Sequence, residues 1–519
     1  MTAQNQEVPS NTEQQRDSTV ALQNAVKLGG SLMLTWGIAL GVRLFMPRYL
    51  GPDQFGVLNF ADAFTATVFV LLSLGVDTYI RKEVSVDPKT ASSFFSGVTV
   101  LRLAGSLLLF AGMQAFLVLT DRPRETWALV HVYGGACLLM SLNLSLAALL
   151  HAKGTVDGLS LLNIASKLVW GGGVLVTIVA GLPLVGIPLA LLASELLKLV
   201  VSARLVQRNL AVSWKVDFGG TKVALLGSLP MFLNFAAHTI YNKLDVSILA
   251  VVAGDREVAW YGAASLVAGL AMMVTPMIGW VLMPLFARAR ARSDEEYTRV
   301  MRRSLELVLA VAFPTSLLLG LGAEPIIVLL YGQAFAPAAA SLQVLSIIFI
   351  FTYVAILSAN ALIITGRAWA QAFISIAGLA LNPFFNWLFL TRAAKALGEG
   401  GAGVGAAWAQ VGTELAVTAA MMALVGRRAF DRRSGVMIVK TLVVCAMVIA
   451  VDLLALRGLP GFLRLTVDGA LYLLGVLLTR AISVKEAVLF ARGALQRRKQ
   501  PIEEAGDATA PAVTAQGMS

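Results

Sequence analysis

The chain has 519 residues, of which 57% are hydrophobic and only 14% charged, and its mean hydropathy is +0.77. That is more apolar surface than a soluble core can hide, so the composition excludes a soluble protein and indicates a membrane protein. The formal net charge of +11 would suggest a nucleic-acid partner in a soluble protein. Here the basic residues fall between apolar runs, so the charge indicates topology and no nucleic-acid partner is expected.

A membrane-spanning helix needs about 20 largely apolar residues, and fourteen runs of this sequence meet the requirement. The runs lie near 20–47, 53–80, 91–119, 126–150, 157–180, 183–206, 222–253, 257–286, 300–320, 338–365, 369–391, 401–426, 436–456 and 460–481. The predicted fold class is therefore an all-α polytopic membrane protein with about 14 transmembrane helices. Short connections marked by Gly and Pro predict that neighbouring spans pack as antiparallel hairpins.

The basic residues are distributed unequally between the two sides of these spans. Most of them lie in or beside the loops near 81–89, 204–222, 288–303 and 427–433, and after 485. By the positive-inside rule this side is cytoplasmic, and so are both termini.

The sequence also contains a repeat. The stretches "RYLGPDQFGVLNFADA" and "VVAGDREVAWYGAASL" share a glycine at a helix end, Gly51 and Gly254, followed by an aromatic-glycine pair that begins at Phe55 and Tyr261. Because both copies follow an odd-numbered span, they predict parallel repeats, that is, two pseudo-symmetric six-helix lobes in a V shape with a cleft between them.

The predicted domains follow from the spans and the repeat. They are a disordered cytoplasmic N-terminus at 1–19, an N-lobe at 20–210, a C-lobe at 211–430, two further spans at 431–482, an amphipathic interfacial helix at 483–499 and a disordered tail at 500–519. The N-terminus also lacks the basic start and short apolar core of a cleaved signal.

Polar residues inside the run 222–253 share one helical face. At 100° per residue, Asn234, His238, Tyr241 and Asp245 fall within a stripe of roughly 60°, whereas Lys243 points to the opposite side. We expect the stripe to face the cleft and Lys243 to find a neighbouring helix. In the run 53–80, two further acidic residues share one side, and they are Asp62 and Asp77.

Basic residues inside apolar runs are concentrated in the N-lobe, and they are Arg43, Arg102, Lys167 and Lys198. Charges there are usually either paired or exposed to a water-filled path. Arg43–Asp62 and Lys198–Glu195 could be ion pairs that fix helix register. For the four basic residues taken together, a solvated cationic cavity is favoured over ion pairing, because Arg102 and Lys167 have no acidic residue nearby in sequence. Such a cavity suits an anionic cargo, since Arg and Lys bind phosphate oxygens well.

The acidic residues of the C-lobe suggest coupling to an ion. Asp245 and Glu414 are the candidate coupling residues, and an H⁺ or Na⁺ gradient or the membrane potential would drive transport. Glu324 precedes Pro325 and is expected to start a helix. No cofactor or metal is predicted. The three histidines are too scattered for metal-ligand spacing, and Cys137 and Cys445 lie singly in apolar runs.

Several stretches together resemble one family. They are "RYLGPDQFGVLNFADAFTATVFVLLSLGVDTYIRKEVS", "KLDVSILAVVAGDREVAWYGAASL", "VLMPLFARAR" and "EPIIVLLYGQAFAPAAASLQVLSI". The resemblance is to the polysaccharide-transport branch of the multidrug/oligosaccharidyl-lipid/polysaccharide (MOP) exporter superfamily, the Wzx-type flippases, and it covers residues 20 to about 480.

The resemblance implies a function. A Wzx-type flippase alternates between inward-open and outward-open states and moves an undecaprenyl-diphosphate-linked oligosaccharide to the periplasmic leaflet of the bacterial inner membrane, for surface polysaccharide assembly. It implies membrane lipids, a polysaccharide polymerase and a chain-length regulator as partners. Lipid II flippases of the superfamily bind the diphosphate through arginines of the N-lobe. Arg43 and Arg102 are likewise arginines of the predicted N-lobe.

Two other classes remain open as alternatives. A cation-coupled drug exporter of the same fold would favour an acidic cavity, and a lipid II flippase would carry a related cargo. A membrane enzyme such as a polymerase, ligase or glycosyltransferase needs large extracytoplasmic loops, and the loops on that side are short. No catalytic residue is therefore predicted.

Overall fold

A computed structural model describes residues 11–77, 91–152, 156–210, 216–272, 275–426 and 431–481, and within these ranges it contains 16 α-helices and no strand. The helices are α1 (Asn11–Phe69), α2 (Ala91–Leu119), α3 (Arg124–Ala152), α4 (Val156–Val179), α5 (Gly186–Leu210), α6 (Phe218–Val252), α7 (Asp255–Met272), α8 (Thr275–Arg292), α9 (Asp294–Leu321), α10 (Ala323–Tyr331), α11 (Ala338–Leu345), α12 (Ile348–Ile364), α13 (Ala368–Leu397), α14 (Gly401–Val425), α15 (Arg432–Val451) and α16 (Gly461–Thr479). A 3₁₀ turn, Val70–Ser73, extends α1.

The all-helical membrane fold predicted from the sequence is confirmed. Among the described residues, ten helices are long and apolar enough to cross a membrane, or eleven if the bent pair Phe218–Pro230 and Phe232–Val252 counts as one span. Fourteen were predicted. The first two predicted spans both lie in α1, which consists of two helices separated by a kink at the non-helical Gly51. The run 257–286 is divided into α7 and α8, with 18 residues each. The run 183–206 lies in α5, whose apolar stretch is interrupted by charged residues.

Glycine permits the sharp connections at the two repeated positions. Gly51 has φ 70° and ψ 172° inside α1, and Gly254 has φ 88° between α6 and α7. Side chains with a Cβ rarely adopt this left-handed region of φ, so glycine is needed at both places. We call the end of the bundle that contains these two glycines the Gly51 end.

The segments predicted at the two chain termini are only partly covered by the described residues. The helix α1 begins at Asn11, within the predicted N-terminal segment 1–19. The predicted interfacial helix at 483–499, the tail at 500–519 and residues 1–10 lie outside the described residues.

The helices pack as two lobes that contact each other. In the N-lobe α3 and α4 both pack on α5, and α1 packs on α4; in the C-lobe α13 packs on both α6 and α14, and α12 packs on α14. The lobes meet where α2 contacts α6 and, more extensively, where α1 packs against α6 and α7. Residues that approach across this contact are therefore positioned by α1 on one side and by α6 and α7 on the other.

The last two helices pack outside the lobes, against α9. Arg464 of α16 lies 3.1 Å from the carboxylate of Asp452 and donates a 2.9 Å hydrogen bond to the carbonyl oxygen of Leu321. Asp452 is 3% exposed, and Asp468, one turn after Arg464, is fully buried. Arg464 is thus the cation that pairs with the buried Asp452, and its charge also acts on Asp468.

Replacing Arg464 with Leu is expected to lower the free energy of unfolding by about 3–5 kcal/mol, because buried carboxyl groups lose their cation. Thermal unfolding of the purified protein in detergent measures the change. Arg457→Leu is the matched control, because Arg457 is exposed in the neighbouring loop and its variant should unfold like the wild type. Equal unfolding temperatures for all three proteins would contradict this role for Arg464.

Candidate functional site

Ion pairs connect the lobes at the Gly51 end. Arg122, between α2 and α3, lies 3.0 Å from Asp255 at the start of α7. The guanidinium of Arg122 also donates to the carbonyl oxygen of Ala250 and lies 4.4 Å from the centre of the Phe60 ring. Because Arg122 belongs to one lobe and Asp255 to the other, these contacts close this end of the bundle.

A second pair lies beside the first. Arg256 of α7 makes a bidentate contact with Asp53 of α1, with an Nε–Oδ1 distance of 2.6 Å and an Nη2–Oδ2 distance of 3.2 Å. Both residues are largely exposed, so the pair contributes little stability by itself. It joins the two repeated connections, two residues after Gly51 on one side and two residues after Gly254 on the other.

Gly56 sets how closely the lobes approach at this end. A Cβ at Gly56 would overlap the carbonyl oxygen of Asp255, whereas a Cβ at Gly41 on the same helix would meet nothing within 4 Å. Gly56→Ala should therefore open the Gly51 end. Overpacking costs roughly 1–3 kcal/mol, equivalent to a roughly 5- to 150-fold shift in population.

The shift can be measured as the rate at which a membrane-impermeant thiol reagent labels Asn59→Cys, with Cys137 and Cys445 replaced by Ser. Labelling should be faster in the Gly56→Ala background and unchanged with Gly41→Ala. An unchanged rate in both backgrounds would show that the close approach at Gly56 does not hold this end closed.

A further contact crosses between the lobes near mid-membrane. Lys243 of α6 lies 3.6 Å from Asp62 of α1, and each side chain keeps about a third of its surface exposed (36% and 33%). Asp62 follows Gly51 by 11 residues and Lys243 precedes Gly254 by 11, which places both about 16 Å along their helices. The suggested Arg43–Asp62 ion pair is thus replaced by a pair between the lobes, and Lys243 finds the neighbouring helix that was expected.

Three basic residues of the N-lobe lie on α1, α4 and α5, and α4 packs against both of the other two helices. Arg43 of α1 is exposed and makes no hydrogen bond or ion pair with any described residue. Lys167 of α4 is half-buried, with its Nζ 5.4 Å from the centre of the Trp170 ring. The charges of Arg43 and Lys198 both act on Lys167. We call Arg43, Lys167 and Lys198 the basic cluster.

Among the described residues, Glu195 is the carboxylate that acts on Lys167. Glu195 is 2% exposed and accepts a 2.8 Å hydrogen bond from the amide of Asn143. The suggested Lys198–Glu195 ion pair is not formed within the described part of the chain. When Asp62, on which Arg43 acts, and its partner Lys243 are included, four cations face two carboxylates, so an excess of positive charge remains.

Arg102 does not share this environment, and the prediction that it is unpaired is wrong. Its side chain is fully buried, and its Nη2 lies 3.2 Å from Oδ2 of Asp77. It also donates to the carbonyl oxygens of Leu72, Ser73 and Ser141. A guanidinium with these partners joins α1 to α2 and α3 and is inaccessible to a ligand in this conformation. Asp77 lies on a different helix from Arg102, which is why neighbouring sequence did not reveal the pair.

Asp245 lies inside the C-lobe rather than on the cleft. It is fully buried and accepts hydrogen bonds from Asn382 (2.9 Å), Asn386 (2.7 Å) and Tyr261 (3.1 Å). Helical periodicity correctly groups the polar residues of α6 but does not say which neighbour covers them, and the amides of α13 cover Asp245. No cation pairs with Asp245 among the described residues.

A second carboxylate is buried in the same lobe. Glu414 of α14 is 2% exposed, and it accepts hydrogen bonds from the hydroxyls of Tyr241 (3.0 Å) and Thr352 (2.8 Å). Tyr241 is itself fully buried, so it also points into the C-lobe rather than to the cleft. The two carboxylates are held by neutral donors from four other helices.

The rest of the polar stripe on α6 is more accessible. His238 is exposed and packs edge-on against Tyr241, with ring centres 5.1 Å apart. Asn234 is half-buried and accepts a 2.6 Å hydrogen bond from Ser375. Glu324 is exposed in the first turn of α10, as expected of a helix-start residue.

Several residues that build these sites were not predicted from the sequence. Asn382 and Asn386 are amides one helical turn apart in an otherwise apolar run, a spacing that could have revealed them. Nothing in the sequence marks Arg122 as functional, because basic residues are common in short loops. Its role depends on a contact with the other lobe.

Comparisons with known proteins agree with this architecture. A family model described as a polysaccharide biosynthesis protein matches residues 45–340, more than half of the chain. Comparison with curated proteins gives no match.

Solved transporters have a similar fold. The chain resembles the lipid II flippase MurJ in an inward closed conformation, at 12% identity and a TM-score of 0.68, over 91% of this chain and 100% of that one. It also resembles an inward-facing multidrug resistance MATE family transporter of the MOP superfamily, at 14% identity and a TM-score of 0.64, over 78% of this chain and 98% of that one. A point mutant of the Vibrio cholerae MATE transporter VcmN is also similar, at 16% identity and a TM-score of 0.53, over 79% of this chain and 98% of that one.

At these identities the solved structures show the fold alone, whereas the family model covers most of α1 to α11. The two-lobed helical fold, the repeated glycine connections and the sequence match are mutually consistent. The chain belongs to the polysaccharide biosynthesis protein family and, as its resemblance to the Wzx-type branch predicted, has the fold of the MOP superfamily.

Proposed function

We propose that this chain is a flippase that carries a polyprenyl-diphosphate-linked oligosaccharide from the cytoplasmic to the periplasmic leaflet of the bacterial inner membrane by alternating access. A sugar-diphosphate head group cannot cross about 30 Å of hydrocarbon unaided, whereas its polyprenyl tail can stay in the lipid. A polar path between two lobes would shield the head group from the hydrocarbon and leave the tail in the lipid.

The basic cluster is the observation that carries this proposal. Its three cations come from three helices, and Glu195 is the carboxylate that acts on Lys167. Asp62, on which Arg43 acts, is already paired with Lys243. Uncompensated cations are costly within a membrane unless an anion or water meets them. A diphosphate supplies the anion, and a guanidinium binds phosphate oxygens in bidentate fashion.

The distribution of Lys and Arg supports an orientation for the transport cycle. It places the Gly51 end on the periplasmic side and both termini in the cytoplasm. Ion pairs close the Gly51 end. At the opposite end the lobes also touch, because Ser228 of α6 donates a 3.2 Å hydrogen bond to the carbonyl oxygen of Leu74 and buried apolar residues of both lobes pack together. The described conformation is therefore closed at both ends, and cargo would enter after the cytoplasmic end opens. Opening at Gly51 would break Arg122–Asp255 and Arg256–Asp53, and the head group would leave there.

The buried carboxylates of the C-lobe are the proposed coupling site. Asp245 and Glu414 have only neutral hydrogen-bond donors, and an unpaired carboxylate within a membrane favours uptake of H⁺ or Na⁺. These groups are sealed inside one lobe, which does not suit them to hold a cationic drug directly. The drug-exporter alternative is therefore less well supported than the flippase.

Asp245→Asn is expected to abolish the stimulation of transport by an ion gradient while leaving cargo binding intact, because it removes the charge and keeps the volume. The measurement is transport in proteoliposomes with and without an imposed Na⁺ or pH gradient. Lys243→Ala, on the same helix, should keep gradient dependence. Full gradient stimulation in the Asp245→Asn protein would contradict the coupling role.

Depletion in cells tests the proposed function itself. When the protein is removed, polyprenyl-diphosphate-linked oligosaccharide should accumulate in a form inaccessible to impermeant reagents added from the periplasm. A polymerase and chain-length regulator acting in the periplasm would then lack substrate, so surface polysaccharide should fall. Unchanged polysaccharide without accumulated precursor would contradict the proposal.

A further inference from the structure

A polar cavity of about 470 Å³ lies away from the transport path, between the first turns of α9 and the start of α15. Its volume is within the roughly 300–1,000 Å³ typical of ligand sites. The lining is almost entirely charged and consists of Asp294, Glu295, Thr298, Arg299, Arg302, Arg303, Glu306, Asp431 and Arg433. The basic side chains come from both helices.

Most acidic groups of this cavity already have partners. Asp431 caps α15 by accepting a 2.7 Å hydrogen bond from the backbone N–H of Ser434. Hydrogen bonds from Ser434, together with the nearby charge of Arg302, hold the pKa of Asp431 below its ordinary value despite some desolvation. Glu306 lies 3.5 Å from Arg433, and Asp294 is ion-paired with Arg290.

Two arginines of the cavity lack such partners. Arg299 and Arg303 are exposed, lie one turn apart on α9, and make no ion pair with any described residue. Like charges at this spacing repel each other. The remaining exposed carboxylate, Glu295, lies one turn before Arg299 without pairing to it. The cavity therefore offers two available guanidinium groups against one available carboxylate.

We propose that this cavity binds the phosphate of an anionic phospholipid head group in the inner leaflet. Arg299 and Arg303 would bind the phosphate oxygens, and the paired charges around them would shape the cavity. The Lys and Arg distribution puts this end of α9 on the cytoplasmic side. From there α9 continues as a candidate span to Leu321, so its first turns lie at the level of anionic head groups. The site is independent of the cargo path.

Native mass spectrometry of the full chain in a neutral detergent tests the site with added phosphatidylglycerol, using phosphatidylcholine and inorganic phosphate as separate probes. Phosphatidylglycerol should bind saturably, and Arg299→Gln/Arg303→Gln should weaken its binding tenfold or more, since hydrogen bonds to charged groups are each worth roughly a factor of ten.

Arg204→Gln/Arg208→Gln is the matched control. These two arginines are also exposed and one turn apart, near the end of α5, but they line no part of this cavity. The control should bind phosphatidylglycerol within twofold of the wild type, and all proteins should share one unfolding temperature. Equal weakening in both double variants, equal binding of phosphatidylcholine, or binding of inorganic phosphate without the lipid would each overturn the proposal.

Discussion

Arg102→Ala is expected to lower the free energy of unfolding by about 3–5 kcal/mol, enough to remove most of the folded protein from the membrane. The guanidinium is fully buried, and it satisfies Asp77 together with carbonyl oxygens of α3 and of the turn after α1. Alanine leaves that carboxylate and those oxygens without a donor in a low-dielectric interior.

The amount of folded protein in the membrane and its unfolding temperature in detergent measure this effect. Arg102→Lys should fall between the wild type and Arg102→Ala, because an ammonium keeps the charge but lacks the planar fork of donors. If Arg102→Ala instead left stability unchanged and reduced cargo binding, Arg102 would act on cargo as the sequence suggested.

Arg43→Ala is expected to have the opposite phenotype, with loss of transport at a normal protein level. Arg43 is exposed and has no hydrogen bond or ion pair in the described part of the chain, so its removal leaves no buried group unsatisfied. Losing hydrogen bonds to a diphosphate should weaken cargo binding tenfold or more. Binding of polyprenyl-diphosphate-linked oligosaccharide to the purified protein measures the loss.

Two controls separate charge from position. Arg43→Lys keeps the charge and should retain part of the binding, whereas Arg204→Ala removes an exposed arginine outside the basic cluster, nearer the end of α5, and should change nothing. Cargo binding by Arg43→Ala equal to that of the wild type would remove Arg43 from the site.

The fold was largely predictable because its signals are local. Apolar runs locate most of the helices, and the glycines of the repeat mark the two connections where φ is positive. The boundary between the first two predicted spans was also predictable, because α1 is interrupted by the non-helical residue Gly51.

The site was less predictable because it depends on which helices face each other. Sequence identified Arg43, Lys167 and Asp62 as charges within the membrane, yet Asp62 meets Lys243 of the other lobe. Arg102 resembled Arg43 in sequence but differs in burial. For Asp245 the helical face was correct and its orientation was not, since Asn382 and Asn386 lie far along the chain.

Transport of a labelled cargo between leaflets tests the central claim most directly. Proteoliposomes would carry fluorescent polyprenyl-diphosphate-linked oligosaccharide, and an impermeant quencher would report how fast the inner-leaflet pool becomes accessible. We predict rapid exposure with the wild-type protein and a rate near that of protein-free liposomes with Arg43→Ala/Lys167→Met, although the variant folds normally. A wild-type rate no faster than protein-free liposomes, or a double variant as fast as the wild type, would contradict a flippase that binds its cargo through the basic cluster.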